Sequence, residues 1–278
     1  MNGIVYVATG DQFTSLFRIA IRYLRVVEPE VPVTLFTDSA GRVELEPMTA
    51  SLGFEIVELE EPGYCSNDKI QACERSSYER TIYLDVDTLT ILPFCQDLFA
   101  ALEHAPILAR SAGIAFNQPW ETERYPRAIP QYNSGVLPFD RSATRDLWPA
   151  WRALRAQHPG PYDQATLRAA ILDCRIAVSE LPPSYNYLRS NLLTEPVRII
   201  HCHVAGGKTR MLDDEARESL IAEIKCIRPP AVTLHSMTIW TRGSVPKRLP
   251  LDALFFLLKA HGRRVARFFR RLRGRDTE

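Results

Sequence analysis

The first 85 residues alternate short apolar runs with amphipathic stretches, and that rhythm leaves few folds open. Residues 3–9 (GIVYVAT), 31–38 (VPVTLFTD), 54–60 (FEIVELE) and 81–85 (TIYLD) are short and rich in β-branched and aromatic side chains, so they read as strands. Between the first two, Phe13, Leu16, Phe17, Ala20, Leu24 and Val27 recur at three- and four-residue spacings, which predicts a helix over 12–27. Shorter helices are expected over 43–52 and 68–78, the second capped by Asn67. Such alternation is what a parallel sheet with crossover helices requires, and ligands of these sheets bind beyond the carboxyl ends of the strands. Thr9, Gly10, Asp11, Asp38, Asp85 and Asp87 all fall at or just after those ends.

The rest of the chain is less regular. Helices are expected over 97–104, 142–157, 163–174 and 213–226, and strands over 107–110, 134–140, 175–181 and 197–203. Residues 111–132, rich in proline and aromatics, read as a long connection of the kind that forms active-site lids. Pro229-Pro230 and residues 243–246 are turn-rich punctuation at the end of a main domain over 1–245. The 46% of hydrophobic residues in 278 suffices for the core of such a domain. The longest apolar run, LDALFFLL at 251–258, is too short to span a bilayer, and MNGIVYVATG does not have the form of a signal peptide. A cytoplasmic location is therefore expected. Six cysteines without C-x-x-C spacing fit reduced thiols, most of them small core residues.

Asp85 and Asp87 close an apolar strand at i, i+2 spacing. Two carboxylates so placed can bear on one hard cation, Mn²⁺ or Mg²⁺, which shares oxygen ligands with substrate phosphates. A surface turn is the alternative reading. Around this pair stand GIVYVATGD at the amino terminus, Lys69, Tyr132-Asn133-Ser134-Gly135-Val136, Asp163-Gln164, Tyr185-Asn186, and Ile199-Ile200-His201 with Lys208 beyond. In this order they resemble the retaining family 8 glycosyltransferases, which include glycogenin and the bacterial lipopolysaccharide galactosyl- and glucosyltransferases. The resemblance covers about residues 3–210.

It implies an α/β GT-A fold, with a mixed, mostly parallel central sheet flanked by helices, and transfer of a hexose from a UDP-sugar to the hydroxyl of a glycan or glycolipid. Implied donor-binding residues are Thr9, Asp11, Lys69, Asp85, Val86, Asn133, Ser134, Gly135, Gly206 and Lys208. Asp163 and Gln164 would face the sugar as the catalytic pair. Asp85, Asp87 and His201 would hold the metal, with His203 as the alternative histidine. Gly206-Gly207-Lys208 could cradle phosphate with its backbone. Two rivals remain. One is a haloacid-dehalogenase-like phosphatase using Asp85, with Lys208 and Asp213-Asp214 in support. The other is a non-catalytic module that binds nucleotide sugars.

Residues 247–278 carry a net charge of +7, which leaves −6 on the rest of a chain whose total is +1. Leu254, Leu257, Leu258, Val265, Phe268, Phe269 and Leu272 recur there near helical spacing among arginines. Such a basic amphipathic tail, taken as 246–278, suits an anionic membrane surface, hence a peripheral position at the inner face of a membrane. The acidic body argues against nucleic acid as a partner.

Overall fold

The computed structural model describes residues 1–63, 66–113, 119–125, 129–160, 162–188, 191–202, 207–227, 231–234 and 237–240. The basic tail, Gly206 and His203 lie outside the described residues.

The amino-terminal half follows the expected rhythm: β1 (Asn2–Ala8), α1 (Asp11–Val27), β2 (Val33–Thr37), α2 (Ser39–Leu45), α3 (Thr49–Leu52), β3 (Glu55–Glu58), α4 (Ser66–Glu74) and β4 (Arg80–Leu84). Helix α1 buries Leu16, Phe17, Ala20, Ile21 and Leu24, so the apolar stripe is the predicted one shifted to include Ile21 and release Val27. The helix predicted over 43–52 begins earlier, because Asp38 caps it by accepting from the Gly41 backbone N–H at 2.6 Å. Pro47 then breaks it, and Gly53 ends it at φ 62°, a left-handed conformation suited to glycine. Asn67 lies inside α4 rather than capping it, and α4 stops four residues short of 78.

The chain continues through β5 (Thr88–Thr90), α5 (Cys95–Ala101), β6 (Ile107–Gly113), α6 (Pro119–Arg124), β7 (Gln131–Asn133), β8 (Val136–Asp140), α7 (Leu147–Gln157), α8 (Gln164–Asp173), β9 (Val178–Glu180), β10 (Asn191–Leu193) and β11 (Ile199–His201). The last described elements are α9 (Gly207–Leu212), α10 (Asp214–Lys225), β12 (Ala231–Leu234) and β13 (Met237–Trp240). One expectation needs correction. Residues 111–132 are not a plain connection, since β6 runs into them, α6 stands in the middle and β7 closes them. Residues 231–240, to which the sequence assigns no element, form β12 and β13, paired to β10 in a small sheet, while Pro229-Pro230 and residues 243–246 lie outside the described residues.

The main sheet has the order β3-β2-β1-β4-β8-β6-β7, with β9 beside β6. Strands β3, β2, β1 and β4 are mutually parallel. Strand β8 runs against β4, and β6 runs against β8. Strands β1, β4 and β6 therefore point the same way, and β8 begins at the edge where they end. That edge collects the Thr9 turn, the Asp85–Asp87 turn, the start of β8 and the β6–β7 connection carrying α6. Apolar layers cover both faces. One contains Leu16, Phe17 and Leu24 of α1, and the other contains Trp148 and Trp151 of α7 with Leu167 of α8. The described cysteines are all free, with Cys73, Cys95 and Cys202 buried.

Candidate active site

Where β4 leaves the sheet, the Thr88 backbone N–H and hydroxyl both donate to the Asp85 carbonyl, at 3.1 and 2.7 Å. This tight turn lets Asp85 and Asp87 bear on one point. Strand β11 brings the third group: it pairs antiparallel with β5, His201 opposite Thr88, and the Cys202 N–H donates to the Asp87 carbonyl at 2.8 Å. His201 Nε2 lies 3.3 Å from Asp87 Oδ1 and 3.8 Å from Asp85 Oδ2. One ligand atom from each of the three residues lies within 4.8 Å of the others.

A chain of hydrogen bonds fixes the imidazole. The Gly135 backbone N–H, which can only donate, gives its proton to Asn133 Oδ1 at 3.0 Å. Asn186 Nδ2 donates to the same oxygen at 2.8 Å, which turns Asn186 Oδ1 toward His201 Nδ1 at 3.0 Å. The ring therefore donates from Nδ1, which turns Nε2, the atom that takes up a proton or a metal ion, toward the two carboxylates. Three acceptors converge on one point, and their mutual repulsion is relieved by a cation. The donor set of two carboxylate oxygens and an imidazole nitrogen fits a divalent metal. Gly135 has a second duty here, because a Cβ at this position would fall on the His201 ring.

Lys69, which the sequence alone would place as readily on a solvated helix face, is buried. Its ammonium lies 3.0 Å from Asp85 Oδ1 and 3.2 Å from Asp163 Oδ2, and donates to Ser134 Oγ at 2.9 Å. Burial alone would lower its pKa, but the Asp163 and Asp85 carboxylates outweigh burial and hold it above the ordinary lysine value. Burial likewise opposes ionisation of Asp163, yet Lys69 and the Ser134 hydroxyl keep that carboxyl below its usual range. Asp163 stands at the amino end of α8, but its side chain makes no capping hydrogen bond there. Asp87 is also depressed: burial works against this, and His201, Lys208 and Lys69 win. Lys208 Nζ sits 3.6 Å from Asp87 Oδ2 and 5.0 Å above the Phe13 ring.

These groups line a cavity of about 920 Å³, large enough for a nucleotide sugar. Among the expected residues, Thr9, Lys69, Asp85, Val86, Asp87, Asn133, Ser134, Gly135, Asp163, Gln164, His201 and Lys208 all face it. Asp11 does not; it is exposed in the first turn of α1. Thr9 donates to Asp68 Oδ2 at 2.8 Å, so its hydroxyl is oriented by α4. Three contributors are not among the expected residues. Tyr83, whose hydroxyl donates to Asp85 Oδ1 at 2.7 Å, stands two residues before Asp85, and strand periodicity would have flagged it. Trp120 and His158 stack on each other in the cavity wall, and no local pattern announces that pair.

No protein-family model matches the chain, and no curated protein sequence matches it significantly. Solved structures do match. The galactosyltransferase LgtC, in complex with donor and acceptor sugar analogues, aligns over 79% of this chain and 96% of its own at TM-score 0.56 and 15% identity. Mouse xyloside xylosyltransferase 1 aligns over 74% and 99% at TM-score 0.53 and 14% identity. The glycosyltransferase GlyE of Streptococcus pneumoniae aligns over 80% and 64% at TM-score 0.56 and 12% identity.

The chain has the GT-A fold. Within this GT-A sheet the cluster of Asp85, Asp87 and His201 sits at the carboxyl edge, beside the turn after β1. The phosphatase alternative fares poorly in a GT-A frame. Asp213 is spent capping α10 through the Ala216 N–H at 2.7 Å, and Asp214 pairs with Arg217 on the surface.

Proposed function

We propose that the protein is a metal-dependent glycosyltransferase that moves a hexose from a UDP-sugar to an acceptor hydroxyl with retention at the anomeric carbon, in lipopolysaccharide, capsule or other glycan synthesis. One observation carries this reading: in a GT-A fold, two carboxylates and an oriented imidazole converge at the sheet edge where such folds bind ligands. Asp85, Asp87 and His201 would hold Mn²⁺ or Mg²⁺. When bound, the ion supplies positive charge against the leaving nucleoside diphosphate.

The chain's own residues supply the rest. Lys208 adds a cation beside Asp87, on the phosphate side of the cavity. Lys69 bridges the Asp85 and Asp163 carboxylates and keeps Asp163 ionised, and Tyr83 steadies Asp85. Both Asp163 oxygens already accept from Ser134 Oγ, at 2.9 and 2.8 Å, and one also from Lys69. A carboxylate so engaged suits electrostatic support of positive charge at the sugar better than covalent attack on it. This favours a front-face reaction with Gln164 nearby.

The test is UDP release from a panel of UDP-sugars with Mn²⁺. Slow donor hydrolysis is expected with at least one sugar, removed by EDTA and by Asp87→Asn. Turnover of p-nitrophenyl phosphate with no UDP-sugar bound or hydrolysed would overturn the proposal in favour of a phosphatase. Binding of UDP-sugar without turnover would favour the non-catalytic module. We further propose that the protein works in the cytoplasm at the inner membrane surface, held by residues 246–278, whose charge and apolar spacing support that reading.

A further inference from the structure

The sheet order separates the cavity into two sides. Thr9 follows β1, Asp85 follows β4, and α6 with Trp120 lies beyond β8, between β6 and β7. The charged side holds the metal cluster and Lys208. The other side is aromatic. Trp120 and His158 stack face to face, with centroids 3.9 Å apart and planes within 4° of parallel, and Tyr162 lines the same wall with 65% of its surface exposed.

This wall is built rather than incidental. Next to Trp120, Glu121 is fully buried and paired with Arg168 of α8 at 2.8 Å, which fixes α6 to the helix that begins beside Asp163. The segment carrying His158 and Tyr162 is held by Arg155, itself buried, whose guanidinium donates to the Gly160 and Tyr162 carbonyls at 2.9 and 3.0 Å.

The geometry points to an acceptor subsite in which Trp120, His158 and Tyr162 form a shelf for the pyranose ring of a glycoside, across Asp163 from the metal cluster. A pyranose presents C–H groups on one face and hydroxyls at its rim. Aromatic rings match the face, and polar tips such as the Tyr162 hydroxyl match the rim. The ring would lie with a hydroxyl toward Asp163 and the donor side. This inference rests on the glycosyltransferase reading, and names the acceptor class for it.

Saturation-transfer NMR of the full chain with methyl α- and β-glycopyranosides of glucose, galactose and N-acetylglucosamine, with UDP and diamagnetic Mg²⁺ present, tests the shelf without requiring turnover. At least one glycoside should show transfer to its ring C–H protons. Trp120→Ala and Tyr162→Ala should each weaken its binding about fivefold, and Trp120→Phe should restore part of the loss. Tyr162 is exposed, so its substitution does not endanger the fold. Three results would overturn the subsite: no glycoside gives a signal, the signal is unchanged in both alanine variants, or the variants weaken UDP binding instead, which would put the donor base on the shelf. Failure of the parent reading looks different, since wild-type protein would then neither bind nor hydrolyse any UDP-sugar.

Discussion

At the scale of single residues, the site depends on groups that touch no substrate. Asn186 is fully buried and connects the Asn133 amide to the His201 ring. Removing it leaves the ring without its orienting acceptor, so Asn186→Ala should weaken Mn²⁺ binding about 10–100-fold. Gly135→Ala should weaken it as well, by displacing the ring. Titration of Mn²⁺ by electron paramagnetic resonance reads both, and wild-type affinity in either variant would detach His201 from the metal. Asp163 makes a separate claim about pH. Its folded pKa lies below the unfolded value of about 3.9, so its contribution to stability is complete above about pH 5 and fades as pH falls through the folded pKa. Between about pH 5 and about pH 2, urea titrations should show a steeper loss of stability for wild type than for Asp163→Asn. Parallel curves would remove Asp163 from the balance.

At the scale of elements, α6 is the informative case. It has only six residues and lies in a stretch rich in proline and aromatics, so it reads from sequence as connection. Its burial comes from Arg168, 47 positions away, which pairs with Glu121 while Gln131 donates to the second carboxylate oxygen at 2.8 Å. Breaking such a pair leaves an uncompensated buried charge, so Arg168→Met should cost about 3–5 kcal/mol in chemical denaturation, and adding Glu121→Gln should recover part of it. Equal stability of the single and double variants would deny the coupling. Helix α5 shows the same principle at its start. Glu28, distant in sequence, accepts from the Phe94 and Cys95 N–H groups at 2.6 and 2.8 Å and caps a helix that carries no side-chain cap of its own.

At the scale of the whole molecule, charge is divided between a body of −6 and a segment over 247–278 of +7. Among the described residues, no helix is long and apolar enough to cross a membrane. Truncation after about residue 247 should leave donor hydrolysis intact and abolish flotation with anionic liposomes, and the flotation of the full chain should fall as salt rises. Flotation that survives truncation would refute the tail as the membrane contact.

The alternation of strands and helices over residues 1–85, the place of Asp85-Val86-Asp87 at a strand end, and the order of the later motifs were determined by sequence alone. They are legible because strand and helix periods, turn residues and motif order are local or ordinal properties of a chain. What the tertiary structure decided was pairing. It put His201 against Asp87 through the β5–β11 ladder, drew Lys69 off a helix face into a buried bridge between Asp85 and Asp163, and left Asp11 outside the cavity. It also made a buried ion pair of Glu121 and Arg168, and a stack of Trp120 and His158. In each case the partners come from distant segments. Whether a charge or an aromatic ring is solvated or paired depends on which segments the sheet order brings to one edge, and residue type and spacing do not encode that order.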